Sequence, residues 1–499
     1  MDINEAKNNF RDIISKLNAF NHAAGVIYLD ALTAAPSDTA EGRGKTLGIL
    51  SRYMYDLSTG EPTRETVKYL LENTDKLDER LIRELKEFDR ENEYMRSIPA
   101  EEYVEFTVLL NEADAVWHKA KEQNNFASFC PYLEKIFDTN RKFANYYKPG
   151  EDAYDVLLDR YERGMNKETL DKFFRSLRER IVPLIKKISQ APPIDDSFLH
   201  EEYPIYKQRE FSDYLMKVMG IDRTHCGIAE TEHPFTTNFN RKDVRITTHY
   251  HLNDFTRSMY SVIHEGGHAT YELNCGEQYD GTAISGGNSM SIHESQSRFY
   301  ENIVGRSREF IEYIYPEICR IFPDQTAGHS AEDFYRAINK SEPSLIRIYA
   351  DELTYPLHIM VRYEIEKAVI SGQAKVEDLP DLWAEKMKEY LGVTVPDDTR
   401  GVLQDSHWSG GSVGYFPSYA LGSAYGAQML QAMKKDIDFT AAVKEGNLAP
   451  IVGWLTDKLY RHCRMYDPNV LFEMCCGESF DPKYYIDYLE AKYTELYGL

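Results

Sequence analysis

Val262-Ile263-His264-Glu265-Gly266-Gly267-His268 sets two histidines four residues apart, with a glutamate next to the first. On a helix, residues four apart share a face, so both imidazoles reach one ion while Glu265 sits beside it. The flanks provide that helix: Asn253 or Asp254 caps its start, and Phe255, Met259, Val262 and Ile263 give it an apolar face. Each of Gly266 and Gly267 costs about 1 kcal/mol relative to alanine inside a helix. Their presence predicts that a substrate or a neighbouring backbone passes close by.

A bare H-E-x-x-H arises by chance in roughly one in several tens of chains of this length, so a third ligand has to be found. The metzincin pattern is excluded, because its glycine and third-histidine positions hold Tyr271 and Asn274. Beyond the loop Gly281 to Asn288 runs Ser291-Ile292-His293-Glu294-Ser295-Gln296-Ser297-Arg298, in which Glu294 stands 26 residues after His268. A His264, His268, Glu294 set leaves a fourth position open, which is a catalytic arrangement for zinc rather than a closed structural one. Cobalt or manganese suits the same ligands. Such an ion polarises a scissile carbonyl and acidifies water, with Glu265 moving the proton to the leaving amine. The chemistry is peptide hydrolysis. His293 points elsewhere on its helix and is expected to support a ligand rather than bind the ion.

Around this motif, three- and four-residue apolar steps dominate. Glu101 to Gln123 carries Leu109, Leu110, Ala113, Val116 and Trp117 on one face, and Glu168 to Gln190 repeats the pattern with Pro183 as a kink. Asp243 to Tyr250 alternates as a strand, and Asn240 to Asp243 turns it back on Phe235 to Phe239 as a small hairpin. The strand is expected either to lie along a substrate groove, offering its edge to a peptide backbone, or to be a plain structural hairpin. No linker or repeat divides the chain, so residues 1–499 read as one large, mostly α domain.

Composition removes other classes of function. With 42% hydrophobic and 13% aromatic residues the chain packs a core. A formal charge of −23, with no basic block, argues against nucleic acid and anionic membranes as partners. It gives basic peptides a weak long-range advantage that salt screens. Seven cysteines without any C-x-x-C disfavour both a disulfide framework and a thiolate zinc site. The start Met1-Asp2-Ile3-Asn4-Glu5 lacks the pattern of a signal peptide, and the expected location is cytoplasmic.

Several further signatures stand in a particular order: His233-Pro234-Phe235; Asp243-Val244-Arg245-Ile246-Thr247; His293 to Arg298; Ile346-Arg347-Ile348-Tyr349-Ala350-Asp351; and Gly401-Val402-Leu403-Gln404-Asp405-Ser406-His407-Trp408. With His264 to His268 and the tract Gly414 to Gly422, they resemble the carboxypeptidase Taq family of metallocarboxypeptidases from His233 to Gln428. Towards the N-terminus, Leu29-Asp30-Ala31-Leu32-Thr33 lacks the tryptophan of the family's Trp-Asp-x-x-Thr pattern. The resemblance implies a two-lobed helical gluzincin fold with a deep groove. It also implies N-terminal helices as a lid, a homodimer, and release of single C-terminal residues with broad tolerance.

A carboxypeptidase must recognise a free terminal carboxylate, for which the arginine fork is suited. Arg347 matches the family's arginine and is the first choice, with Arg245 second. Tyr419 or His407 is expected to donate to the developing oxyanion, and His233 to line the groove. His407-Trp408 as a packed pair, and His233 as the end of a turn, are the competing structural readings. A helical zinc endopeptidase would share the ligands and Glu265 but would not need Arg347. A zinc-containing binding protein would not need Glu265.

Overall fold

The computed structural model describes residues 2–499, and its architecture is mostly α-helical with one small sheet. The N-terminal helices Ile3–Thr33, Glu61–Leu71 and Glu79–Ser97 enclose a small core of their own around Phe10, Ile14, Leu70 and Leu85. The first of them opens on a capping box, with Asp2 accepting from the Glu5 backbone and Glu5 reaching back to Asp2. A second, much larger core runs through the rest of the chain. Each N-terminal helix therefore buries apolar surface against its neighbours, while Tyr28 and Arg83 also reach Phe235 and Asp467 of the main body.

The amphipathic segments read from periodicity are the helices Ala100–Glu122 and Lys167–Ile188. The second continues through Pro183, which lies on its exposed face. No helix among the described residues is long and apolar enough to cross a membrane.

Three strands, β1 (Cys226–Glu230), β2 (Thr236–Asn240) and β3 (Asp243–Thr248), form a sheet in the order β1-β3-β2. The β2–β3 hairpin pairs Thr236 with Ile246 and Asn238 with Val244, as the sequence predicts. The expected free edge falls on a different strand. β3 is central, parallel to β1 on its other side, so the edges of the sheet belong to β1 and β2. β1 was not legible because Gly227 and Ala229 weaken its strand signal and its parallel pairing is non-local.

Beside the sheet, three helices stack through glycines. Helix Phe255–Leu273 meets helix Met290–Arg298 at Gly267, where a Cβ would come within 2.7 Å of the Gln296 carbonyl oxygen. Helix Pro417–Asp436 meets the same element from the other side at Gly422, where a Cβ would lie 2.6 Å from Glu294 Cγ. The expected close backbone approach is therefore found at Gly267. Gly266 instead faces the Met219 side chain, with Cε at 2.7 Å from a built Cβ. The first helix crosses above the sheet, with His22 and Phe239 ring centres 4.7 Å apart.

Candidate metal centre and active site

Phe255–Leu273 begins at Asp254, whose carboxylate engages Thr256 and Arg257 rather than capping the backbone. Four residues of spacing put His264 and His268 on one face, and the glycine contact brings Glu294 opposite them. Glu294 Oε2 lies 3.7 Å from His264 Nε2 and 3.6 Å from His268 Nε2. Tetrahedral ligands at 2.0–2.1 Å stand about 3.4 Å from one another, so these three donors fit a single small divalent ion. The charge around them agrees. Burial disfavours a protonated His264, yet Glu294 and Glu301 outweigh it and hold its pKa up, so the site draws positive charge. Burial, with the neighbouring histidines, lowers His268 to about 4 and leaves its ring neutral, as ligation requires.

Each ligand is held from behind. Glu301 Oε2 lies 2.8 Å from His264 Nδ1. His268 Nδ1 meets His293 Nδ1 at 2.6 Å, and His293 Nε2 meets Glu272 Oε1 at 2.8 Å. Glu294 Oε1 accepts from Arg298 Nε at 2.7 Å. Burial opposes ionisation of Glu294 and Glu301, but Arg298 and the imidazoles prevail: Glu294 sits well below the usual carboxylate range and Glu301 falls to about 2. Glu301 lies in a wider, π-helical turn, Phe299–Val304, that follows the ligand helix.

Glu265 is buried beside the donors, and Thr236 of β2 donates to its Oε2 at 2.6 Å. Burial is the largest influence on this carboxyl and raises its pKa.

The remaining expected residues divide into two groups. Arg347, His407 and Tyr419 come together: Arg347 stacks 5.3 Å from the Tyr419 ring centre, and Tyr419 Oη lies 3.2 Å from His407 Nε2. His407 Nδ1 is buried without a partner among the described residues, while Trp408 is packed and donates to Glu366 at 2.7 Å. Arg347 is nearly enclosed. It gives Nε and Nη2 to Asp405 Oδ1 and Nη1 to Tyr355, so two of its five N–H donors are uncommitted. Arg298 lies over the Tyr355 ring at 4.5 Å and links this cluster to Glu294.

Arg245 and His233 stand outside both clusters. The Arg245 fork closes on Asp243 at 2.8 and 2.9 Å, and His233 is exposed in the β1–β2 connection with its carbonyl accepting from Thr231.

Residues that the motif reading missed complete the site. Glu272, four residues after His268, continues the same helical face, and that spacing is its one signal in the sequence. Arg362, fully buried, shares Asp405 with Arg347, giving Nε to Oδ2 at 2.7 Å. No local signal pairs residues 43 positions apart.

The family model of the carboxypeptidase Taq (M32) metallopeptidases matches residues 9–493. Carboxypeptidase 1 of Bacillus subtilis (strain 168) is 42% identical over 501 residues, covering 100% of both chains. Thermostable carboxypeptidase 1 of Pyrococcus furiosus is 35% identical, covering 95% of this chain and 96% of that one. Among solved structures, the M32 carboxypeptidase from Deinococcus radiodurans R1 superposes with a TM-score of 0.96 at 32% identity, covering 99% of this chain and 100% of that chain.

Proposed function

The chain belongs to the carboxypeptidase Taq (M32) family and is a metallocarboxypeptidase, a peptide hydrolase; from that premise we propose that it uses zinc to release single residues from peptide C-termini with broad tolerance. The observation that carries this reading is the spare positive charge beside the metal donors. Two guanidiniums, Arg347 and Arg362, share the one carboxylate of Asp405, so the cluster keeps a net positive charge where a terminal carboxylate is to be received.

His264, His268 and Glu294 would hold the ion. Zinc bound there supplies Lewis acidity toward the scissile carbonyl and the attacking water. Glu265 takes the proton from that water and returns it to the leaving amine. Its raised pKa brings it nearer neutrality, and Thr236 fixes its orientation. Arg347 binds the terminal carboxylate with its uncommitted donors. Tyr419, half-buried, is the preferred donor to the oxyanion, with His407 holding its hydroxyl. Cobalt or manganese would serve at the same ligands. A single domain, a cytoplasmic location and a homodimer belong to the same reading, carried by the family likeness and the cysteine usage.

Removing the metal with a chelator and restoring it tests the reading. Release of C-terminal residues from an unblocked peptide is expected to stop and to return with added zinc. Release that persists in chelator would overturn it.

A further inference from the structure

We propose that an arginine-lined cavity one helical turn from the metal donors recognises acidic side chains of the peptide, so that aspartate or glutamate near the scissile bond is favoured. The inference rests on the carboxypeptidase reading and deepens it by naming a substrate class.

The cavity, of about 390 Å³, lies between helix Glu79–Ser97, the segment 160–163 and the start of helix Met290–Arg298. Arg83, Arg90, Arg160, Arg163 and Arg464 line it, together with Tyr94. In a chain of net charge −23, such a concentration of cations around one cavity runs against the overall balance.

Four of these arginines are already paired. Arg83 and Arg163 share Glu87 and Asp467, Arg90 faces Asp159, and Arg464 meets Glu91. Arg160 forms no ion pair among the described residues; its guanidinium stacks 3.4 Å from the Tyr94 ring centre and the residue is exposed. Lys148 also shares Asp159, and Glu162 is held by Ser289 and the Ser291 amide; among the five guanidiniums the one without a carboxylate is Arg160's. Stacking holds the guanidinium by its face and leaves its N–H edge for a planar acceptor. The Arg464–Glu91 pair, 3.4 Å apart with side chains 40% and 64% exposed, is a weak one and makes Arg464 the second donor.

Position ties the cavity to the reaction. Met290 lines it and stands four residues before Glu294, on the same helical face, a rise of about 6 Å. An extended peptide advances about 3.3 Å per residue, so that rise corresponds to about two residues of a peptide running beside the helix. On another wall, Tyr161 meets Tyr415 at 5.2 Å, and Tyr415 meets Tyr419 at the same separation. The cavity and the Arg347 cluster thus share an aromatic partition. The terminal carboxylate is served by Arg347, which leaves a side-chain carboxylate as the group that Arg160 accepts. The acidic surface elsewhere does not cancel this, because salt screens charges beyond about 8 Å.

The test compares kcat/KM for matched unblocked peptides that carry glutamate or glutamine at each of the last three positions, using the metal-loaded protein and its Arg160→Gln variant. At one position the wild type is expected to prefer glutamate about tenfold, the scale of one charge-assisted hydrogen bond. The ratio should fall toward one in Arg160→Gln and with added salt. A wild-type ratio near one at every position, or a preference that Arg160→Gln leaves intact, would overturn the proposal while the carboxypeptidase reading stands. Failure of the wild type to shorten any of the peptides would bring down that reading and this inference together.

Discussion

Glu301 Oε2 stands 2.8 Å from the Nδ1 of His264 and accepts from Arg298 at 3.1 Å, so a single carboxylate fixes the imidazole and is itself fixed. With Nδ1 donating its hydrogen to Glu301, the Nε2 lone pair faces Glu294 and the metal position. Glu301→Gln keeps the size of the side chain and removes its charge. Zinc affinity, measured by competition with a chromophoric chelator, is expected to fall about 10–100-fold with the helical circular dichroism unchanged. Unaltered affinity would show that Glu301 does not tune the ligand.

The two motif glycines are predicted to differ. A methyl at Gly267 meets backbone, at 2.7 Å from Gln296 O and 2.8 Å from Ser297 Cα, whereas at Gly266 it meets the end of Met219, which can swing away. Gly267→Ala is expected to lose about 1–3 kcal/mol in urea unfolding despite alanine's better helix propensity. Gly266→Ala should lose clearly less. Equal losses would mean that close helix packing is not what Gly267 provides.

Glu162 links pH to the ligand helix. Buried at its start, it accepts from Ser289 Oγ and the Ser291 amide, and burial lifts its pKa to about 7 against those hydrogen bonds. A folded-state pKa above the unfolded value of about 4.3 means that the stabilising proton is fully bound below that pH. Its contribution, up to about 4 kcal/mol, is lost as pH rises through about 7. Unfolding free energies of the metal-free wild type relative to Glu162→Gln should therefore decline between about pH 5 and pH 8. A pH-independent difference would contradict this.

Arg347→Ala tests recognition of the carboxylate. Asp405 keeps Arg362 as its partner, so the cluster should remain folded, which thermal unfolding can verify. On unblocked peptides kcat/KM is expected to drop about a hundredfold, the scale of a lost charge-assisted contact, and amidated peptides should not gain. An undiminished rate would place the carboxylate elsewhere.

What was legible in the sequence follows from how local each relationship is. His264 and His268 are separated by one helical turn, so spacing alone places them together. Glu294 was reachable only as a carboxylate on a following helix, because its approach depends on glycine contacts at Gly267 and Gly422 that connect three helices. Glu272 extends the His264–His268 face but is indistinguishable in sequence from a solvated helix carboxylate. Glu301 is reached through the π-helical turn Phe299–Val304, which shifts the phase that a regular helix would predict. The β2–β3 hairpin was readable from alternation and its turn. That β3 is central was not, because β1 joins it in a parallel pairing. Arg245 shows the limit of residue type as evidence, since its fork is closed by Asp243 two residues away.

The most direct test incubates the zinc-loaded protein and its Glu265→Gln variant with one peptide in free-acid and C-terminally amidated forms, following products by mass over time. The account predicts stepwise loss of single C-terminal residues from the free-acid peptide alone, with the variant inactive yet still binding zinc. Internal fragments from both forms of the peptide, or full activity in Glu265→Gln, would contradict it.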